Sequence, residues 1–172
     1  MDAPDQSAPV FHNNDLVVLV AIGAVFLGAL IYGGIYDTFA IALSIGVLLL
    51  GASLATAYLS KGESGSRTML PFLGMAMVGL LIHVAHGHSE AHFAVFAFMA
   101  CLVVYRRTIP IVMGAATIAV HHVTFNQFQT WGWGPICFGE PSFMRVIEHA
   151  VFVIVESGVL DRKSTRLNSS HT

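Results

Sequence analysis

The most obvious shortage in this sequence is charge. Of its 172 residues, 10% are Asp, Glu, Lys or Arg and 55% are hydrophobic, whereas a soluble domain usually carries about a quarter charged residues. The few charges are unevenly spread, and long runs contain none. The composition therefore excludes an ordinary soluble domain and predicts an all-α, polytopic membrane protein in a lipid bilayer. The net charge of −2 gives no basic surface for nucleic acid, so no such partner is expected.

Cysteines and catalytic motifs are also sparse. The chain has 2 cysteines, Cys101 and Cys137, and their spacing predicts no metal-binding pair. No zincin-type histidine motif is present, which argues against a metalloenzyme. No internal repeat of fixed period is present, which argues against a transporter. We assign no catalytic residue, and the sequence leaves enzymatic activity undecided.

Hydrophobic segments account for most of the chain. A helix needs about 20 apolar residues to cross a bilayer. Short polar connections, several of them with glycine or proline, separate the segments. The predicted spans are 16–36, 39–59, 69–86, 91–105, 110–129 and 143–160. The sequence thus predicts a bundle of about six transmembrane helices.

The two ends of the chain differ from this transmembrane domain, which we place at 15–160. Residues 1–14 form a polar tail that lacks the basic residues of a secretory signal. Residues 161–172 are polar and basic, and they resemble the translation of a sequencing adapter. We therefore expect a non-native or disordered tail there, with the natural chain continuing past Leu160.

Basic residues predict the orientation of the bundle. With six spans, one side of the membrane holds Lys61, Arg67, Arg106 and Arg107, while the other side holds Arg145. Cytoplasmic loops carry an excess of Lys and Arg. Both termini are therefore predicted to be cytoplasmic.

Histidine is plentiful where charge is scarce. The chain has 9 histidines, and most of them lie in the stretches 81–93, 120–125 and 146–150, next to or within apolar segments. In the predicted topology these stretches lie within about one to two helical turns of the outer interface. Ionisable groups in a membrane are costly and indicate function. We therefore predict one shared site, whose candidate metal ligands are His83, His86, His92, His121, His122 and His149.

Helical spacing divides these candidates. His83 and His86 are three residues apart and share a face of one helix. His121 and His122 point about 100° apart, so at most one of them is expected to face the site. The carboxylates that could bind the metal or orient the imidazole rings are Glu90, Glu148 and Glu156.

Two kinds of bound group suit this set of residues. Histidine-rich sites with few thiols suit zinc, copper or iron. A bis-histidine haem b fits the same composition. Its candidate cofactor-binding residues are His83, His86, His92, His122 and His149. A proton relay along the histidines is a third interpretation.

The same motifs resemble a known module. They are the stretch 83–93, Tyr105-Arg106, 118–122 with Phe125 and Gln129, and His149-Ala150 with Glu156. This set resembles the histidine-rich N-terminal transmembrane sensor module of bacterial methyl-accepting chemotaxis proteins and diguanylate cyclases. The resemblance covers about 80–160, and there are departures from it. His88-Ser89 stands where an apolar pair is expected, and Arg107-Thr108 replaces an acidic-aromatic pair.

The resemblance implies a role in signal transduction. It implies a bacterial inner-membrane sensor, a homodimer, and a covalently linked cytoplasmic signalling domain, which in the full protein could be a diguanylate cyclase. We expect binding, loss or redox change of the metal or haem to be the signal. The alternatives are a membrane metalloenzyme with Glu90 or Glu148 as base, and a transporter or proton channel that uses a histidine relay.

Overall fold

The computed structural model describes residues 11–60 and 62–169, and this part of the chain is helical. A short 3₁₀ turn, Leu102–Tyr105, extends the fourth helix. The helices are α1 (Asn13–Ile35), α2 (Phe39–Ser60), α3 (Ser64–Val84), α4 (Ser89–Cys101), α5 (Thr108–Thr130) and α6 (Phe143–Ser169). The prediction of an all-α fold with six helices is confirmed.

Four of these helices, α1, α2, α3 and α5, are long and apolar enough to cross a membrane. The fourth helix with its 3₁₀ turn is apolar but shorter. The sixth carries Arg145, Glu148 and Glu156 within its apolar part, which distinguishes it from the long spans. The four candidate spans indicate a membrane location.

Helix α3 is the centre of the bundle and packs against α1, α2, α4 and α5. Close approach depends on small residues, as is common between membrane helices. At Gly74, an added Cβ would lie 2.0 Å from the ring of Phe98, so only glycine leaves room for that ring. Large apolar side chains such as Leu48 and Ile154 point outward and are exposed, as expected for surfaces that face lipid.

Some boundaries differ from the sequence prediction. Helix α3 begins at Ser64, five residues before the predicted start at residue 69, because its Ser and Thr side chains can be held within helical turns by donating to carbonyls three or four residues earlier. Ser66 donates to the Glu63 carbonyl at 3.1 Å, and Thr68 donates to the Ser64 carbonyl at 2.9 Å. The predicted polar tail 1–14 lies outside the described residues up to residue 10, and so does Lys61.

Helix α6 continues beyond the predicted end of the domain. It is helical through Ser169, and Ser164 is buried. The assignment of 161–172 as foreign sequence rests on its composition and stays a prediction, and residues 170–172 lie outside the described part of the chain.

A buried carboxylate ties the helix ends together opposite the histidines. Asp15 is fully buried near the start of α1. It accepts hydrogen bonds from the Tyr105 hydroxyl and from the Gly62 backbone N–H, each at 2.8 Å. Buried charge is tolerated only with such partners. These bonds join α1, the α2–α3 connection and the end of the fourth helix.

Candidate metal centre

The connection between α5 and α6, residues 131–142, folds back over the turn between α3 and α4. Gly87 in that turn has φ +71, and an added Cβ would lie 2.5 Å from the backbone carbonyl carbon of Phe138. Only glycine allows the two backbones to approach so closely. The contact brings Cys137 and Phe138 to the start of α4, where His92 lies.

Side chains from α3 and α5 hold this connection in place. The Gln129 side-chain oxygen accepts from the Cys137 N–H at 3.0 Å, and its amide nitrogen donates to the Phe138 carbonyl at 2.6 Å. His83 Nδ1 accepts from the Ile136 N–H at 3.0 Å. Asn126 accepts from the Ser142 N–H at 2.7 Å, which fixes the start of α6. The position of Cys137 is therefore determined by long-range hydrogen bonds.

Three buried side chains converge under the connection: His92 from α4, His122 from α5, and Cys137. One ligand atom from each lies within 4.8 Å of the others. Their side chains are 6%, 4% and 0% exposed, respectively. Two imidazole nitrogens and one sulfur at this spacing form a group that could hold a metal ion.

Backbone carbonyls orient both imidazole rings. His92 Nδ1 lies 3.0 Å from the carbonyl of His88, and His122 Nδ1 lies 3.0 Å from that of Ile118. A carbonyl can only accept, so each Nδ1 carries the proton and each Nε2 keeps its lone pair. Both Nε2 atoms are buried, and neither has a hydrogen-bond partner among the residues that the structure describes. Such orientation of histidine by a second hydrogen bond is typical of metal ligands.

His149, near the start of α6, is the neighbour of this group. Its ring centroid lies 5.1 Å from that of His92 and 5.3 Å from that of His122. Its Nδ1 donates to the Arg145 carbonyl at 2.8 Å, so its Nε2 also keeps a lone pair. His149 lies outside the set of donors within 4.8 Å, and it adds a third imidazole beside them.

His83 and His121 lie beside the group in other roles. His83 accepts a backbone N–H at Nδ1, so the proton of its neutral ring is on Nε2 and that atom is a donor. His121 packs on Phe125, with ring centroids 4.1 Å apart, and against the backbone of Gly79. Its Nδ1 is 3.5 Å from that of His122. The structure thus gives His83 a positioning role in the connection.

The remaining predicted residues lie outside the group. His86 is exposed in the α3–α4 turn, with its ring 5.0 Å from that of Tyr36. Glu90 is exposed and bonded to Ser89 and His88. Glu148 is exposed, and Glu156 is half-buried. The structure brings His92, His122 and His149 together and leaves His86, Glu90 and Glu156 apart from them. Glu148 lies in a cleft that borders His92 and His149.

Cys137 is the residue that sequence reasoning missed. Its spacing from Cys101 predicts no metal-binding pair, whereas the structure places it beside histidines 45 and 15 residues earlier in the chain. Burial raises the pKa of its thiol to about 12, so metal binding has to displace the thiol proton. The sequence feature that could have indicated Cys137 is its position in the connection between Gln129 and the helix that carries His149.

The group has a polar side and an apolar side. A cleft lined by Gly87, Ser89, Arg145 and Glu148 borders His92 and His149, and it provides charged and hydroxyl groups next to the centre. On the other side, aliphatic residues of α4, α5 and α6 border the same rings.

Comparison with known proteins adds no relative. No protein family matches the chain, and no curated protein or solved structure is significantly similar to it.

Proposed function

We propose that this protein is a metal-binding sensory input domain of a bacterial inner membrane. The observation that carries the proposal is the buried group of His92, His122 and Cys137, whose ligand atoms lie within 4.8 Å of one another. Of the three buried imidazole nitrogens without a partner among the described residues, the Nε2 atoms of His92 and His122 belong to this group, and they are costly without a ligand. A bound ion removes that cost.

The ligand set favours an ion over a haem. Thiolate with imidazole suits zinc or copper, and also iron. The cavity bordered by the three imidazole rings measures about 50 Å³, whereas pockets for organic ligands measure roughly 300–1,000 Å³. The rings of His92, His122 and His149 are also in mutual contact, with centroids 5.1–5.5 Å apart. An ion fits between such rings, and a porphyrin does not.

The proposed signalling mechanism depends on the fact that the residues of the site belong to different helices. His92 belongs to α4, His122 to α5 and Cys137 to the connection before α6, while His149 lies on α6 itself. A shared ion couples the positions of these helices, so its binding, loss or redox change biases α6 relative to α4 and α5. Helix α6 leads to whatever follows Leu160.

The resemblance to chemotaxis and diguanylate cyclase sensor modules supports an output domain there. The same resemblance supports a homodimer, in which α6 of two chains would act on paired output domains. Both points belong to the proposal.

The proposed topology has six transmembrane helices and cytoplasmic termini. It is supported by the bias of Arg67, Arg106 and Arg107 to one side. The aromatic residues Trp131 and Trp133 lie at the opposite side and are exposed, which suits a membrane–water interface.

Metal content tests the function. Wild-type protein purified with zinc and copper supplied during expression should carry about one metal ion per chain by elemental analysis, because one group of donors converges. His122→Ala should lose it. His86→Ala is the matched control, because His86 lies at the same end of the bundle but outside the group, and it should keep the metal. Metal-free wild-type protein, or equal loss in both variants, would refute the proposal.

A further inference from the structure

A small cavity lies directly against the proposed metal centre. It measures about 50 Å³ and lies between α4, α5 and α6. The rings of His92, His122 and His149 form one wall, and the remaining walls are aliphatic or aromatic side chains such as Val95, Ile118 and Val153. The cavity is separate from the polar cleft on the other side of the centre, which Arg145 and Glu148 line.

The walls determine what can occupy this space. A water molecule needs two to four polar partners, and apolar cavities stay dry and take up apolar guests such as xenon. The volume exceeds the roughly 10–15 Å³ that one water-sized probe requires and is far below the roughly 300 Å³ of pockets for organic ligands, so the cavity has room for a small molecule only. Ions and polar solutes are excluded because nothing in the aliphatic walls replaces their hydration.

The cavity is placed to receive a guest from lipid. Val123, which lines it on α5, is 49% exposed on the outer surface of the bundle. In a membrane that surface faces hydrocarbon, in which uncharged gases dissolve. A small apolar guest can therefore reach the histidine rings without passing the charged cleft.

The donor set leaves a coordination position for such a guest. His92, His122 and Cys137 supply three donors, and His149 lies outside their 4.8 Å grouping. Metal sites that bind an exchangeable ligand have three protein donors and an open fourth position. His149 borders both the cavity and the group, so a guest in the cavity would lie beside the histidines that would hold the ion.

We propose that this cavity binds an uncharged diatomic gas, of the class of dioxygen, nitric oxide and carbon monoxide, next to the metal. The inference rests on the proposed function, because the ion supplies the bond and the cavity supplies access and selection. The bond is reversible coordination of the gas to a copper(I) or iron(II) ion: the gas donates a lone pair, the ion returns d-electron density, and the gas leaves unchanged. The sensed signal is then a gas that arrives through the membrane.

Two probes test this, one of which needs no metal. Xenon binding to metal-free protein in nanodiscs is measured by xenon NMR, and carbon monoxide binding to the copper(I)-loaded protein is measured by its infrared stretch. Val153→Phe places a ring in the cavity. Val155→Phe is the matched control, because Val155 lies on the same helix, is 61% exposed and does not line the cavity.

We expect wild type and Val155→Phe to bind both probes. Val153→Phe should keep its metal, lose the xenon signal and bind carbon monoxide at least about tenfold more weakly, which corresponds to ~1.4 kcal/mol. Ala150→Leu adds a smaller group to the same cavity and should weaken binding of both probes to a lesser degree. It replaces Val153→Phe if that variant does not fold.

The outcomes separate the two proposals. Wild-type protein that takes up no metal overturns the proposed function. Metal-loaded wild-type protein that binds neither xenon nor carbon monoxide overturns the gas proposal alone. Folded cavity variants that bind both probes as well as the control does also overturn it.

Discussion

At the residue scale, the hydrogen-bond partner of each imidazole Nδ1 distinguishes the candidate metal ligands from the histidine that holds the 131–142 connection in place. His92 and His122 each face a carbonyl one turn earlier, and their Nε2 atoms keep a lone pair. His83 faces a backbone N–H, so its proton is on the other nitrogen. Sequence spacing could find the histidines but not this difference, because tautomers depend on neighbours that the fold brings together.

The sulfur ligand is tested by a pair of cysteine variants. Cys137→Ser should abolish the sulfur-to-cobalt charge-transfer band of cobalt-substituted protein, because serine supplies no thiolate. Cobalt affinity should fall by more than the roughly 10–100-fold that loss of an orienting partner causes. Cys101→Ser is the control, because Cys101 is half-buried on α4 and outside the group. A band that survives in Cys137→Ser would exclude this residue as a ligand.

Gln129 is predicted to act on the metal through the position of Cys137. Gln129→Ala removes the acceptor of the Cys137 N–H and the donor to the Phe138 carbonyl. A buried group left without its partner costs about 1–3 kcal/mol. Metal affinity should fall by about 10–100-fold while stoichiometry at saturating metal is retained. Isothermal titration measures both quantities.

The control for this variant is Gln127→Ala. Gln127 lies two residues earlier on α5 and is exposed. Its substitution should leave the metal affinity unchanged. An equal effect of the two substitutions would show that the Gln129 hydrogen bonds do not position Cys137 for the metal.

At the scale of elements, the contact between the 131–142 connection and the α3–α4 turn forms the site. The sequence predicted both as connections, but it did not predict that one covers the other. That information resides in Gly87, where the lack of a side chain admits the Phe138 backbone, and in hydrogen bonds that span 8 to 53 residues. Pattern reasoning has no access to pairings of that length.

A pair of glycine variants tests this contact. Gly87 and Gly132 have similar positive φ values, +71 and +75, so alanine adds a comparable strain of about 1–2 kcal/mol at each. Only at Gly87 does the new Cβ meet backbone, whereas nothing lies within 4 Å at Gly132. Gly87→Ala should therefore lower the midpoint temperature of unfolding by more than Gly132→Ala does, and it should also reduce the metal content. Equal midpoints and equal metal content for the two variants would contradict the packing described.

At the scale of the whole molecule, hydrophobic length predicted most of the fold. The segments that the sequence assigned as spans correspond to the observed helices, with ends that differ most at α3 and α6. Composition misled at Ser64–Arg67, where serine and glycine suggested a loop but the chain is already helical from Ser64, and the hydroxyls of Ser66 and Thr68 donate to backbone carbonyls three and four residues earlier. The buried bond between Asp15 and Tyr105 was not foreseen, because it joins residues 90 positions apart.

The orientation of the whole bundle is tested by reporter insertion. Reporters at Gly62 and Gly134 should report opposite sides of the membrane, with Gly62 in the cytoplasm, because basic residues concentrate on the Gly62 side. An insertion after Ser169 is the reference and should agree with Gly62. Reporters at Gly62 and Gly134 that lie on the same side would exclude six spans.

We expect one metal ion to be held by nitrogen and sulfur donors at the end of the bundle where the α3–α4 turn lies. X-ray absorption of the metal in purified wild-type protein measures this coordination. We predict a shell of one sulfur at about 2.3 Å and two imidazole nitrogens at about 2.0–2.1 Å, with the sulfur lost in Cys137→Ser. A shell without sulfur in the wild type, or no bound metal at all, would contradict it.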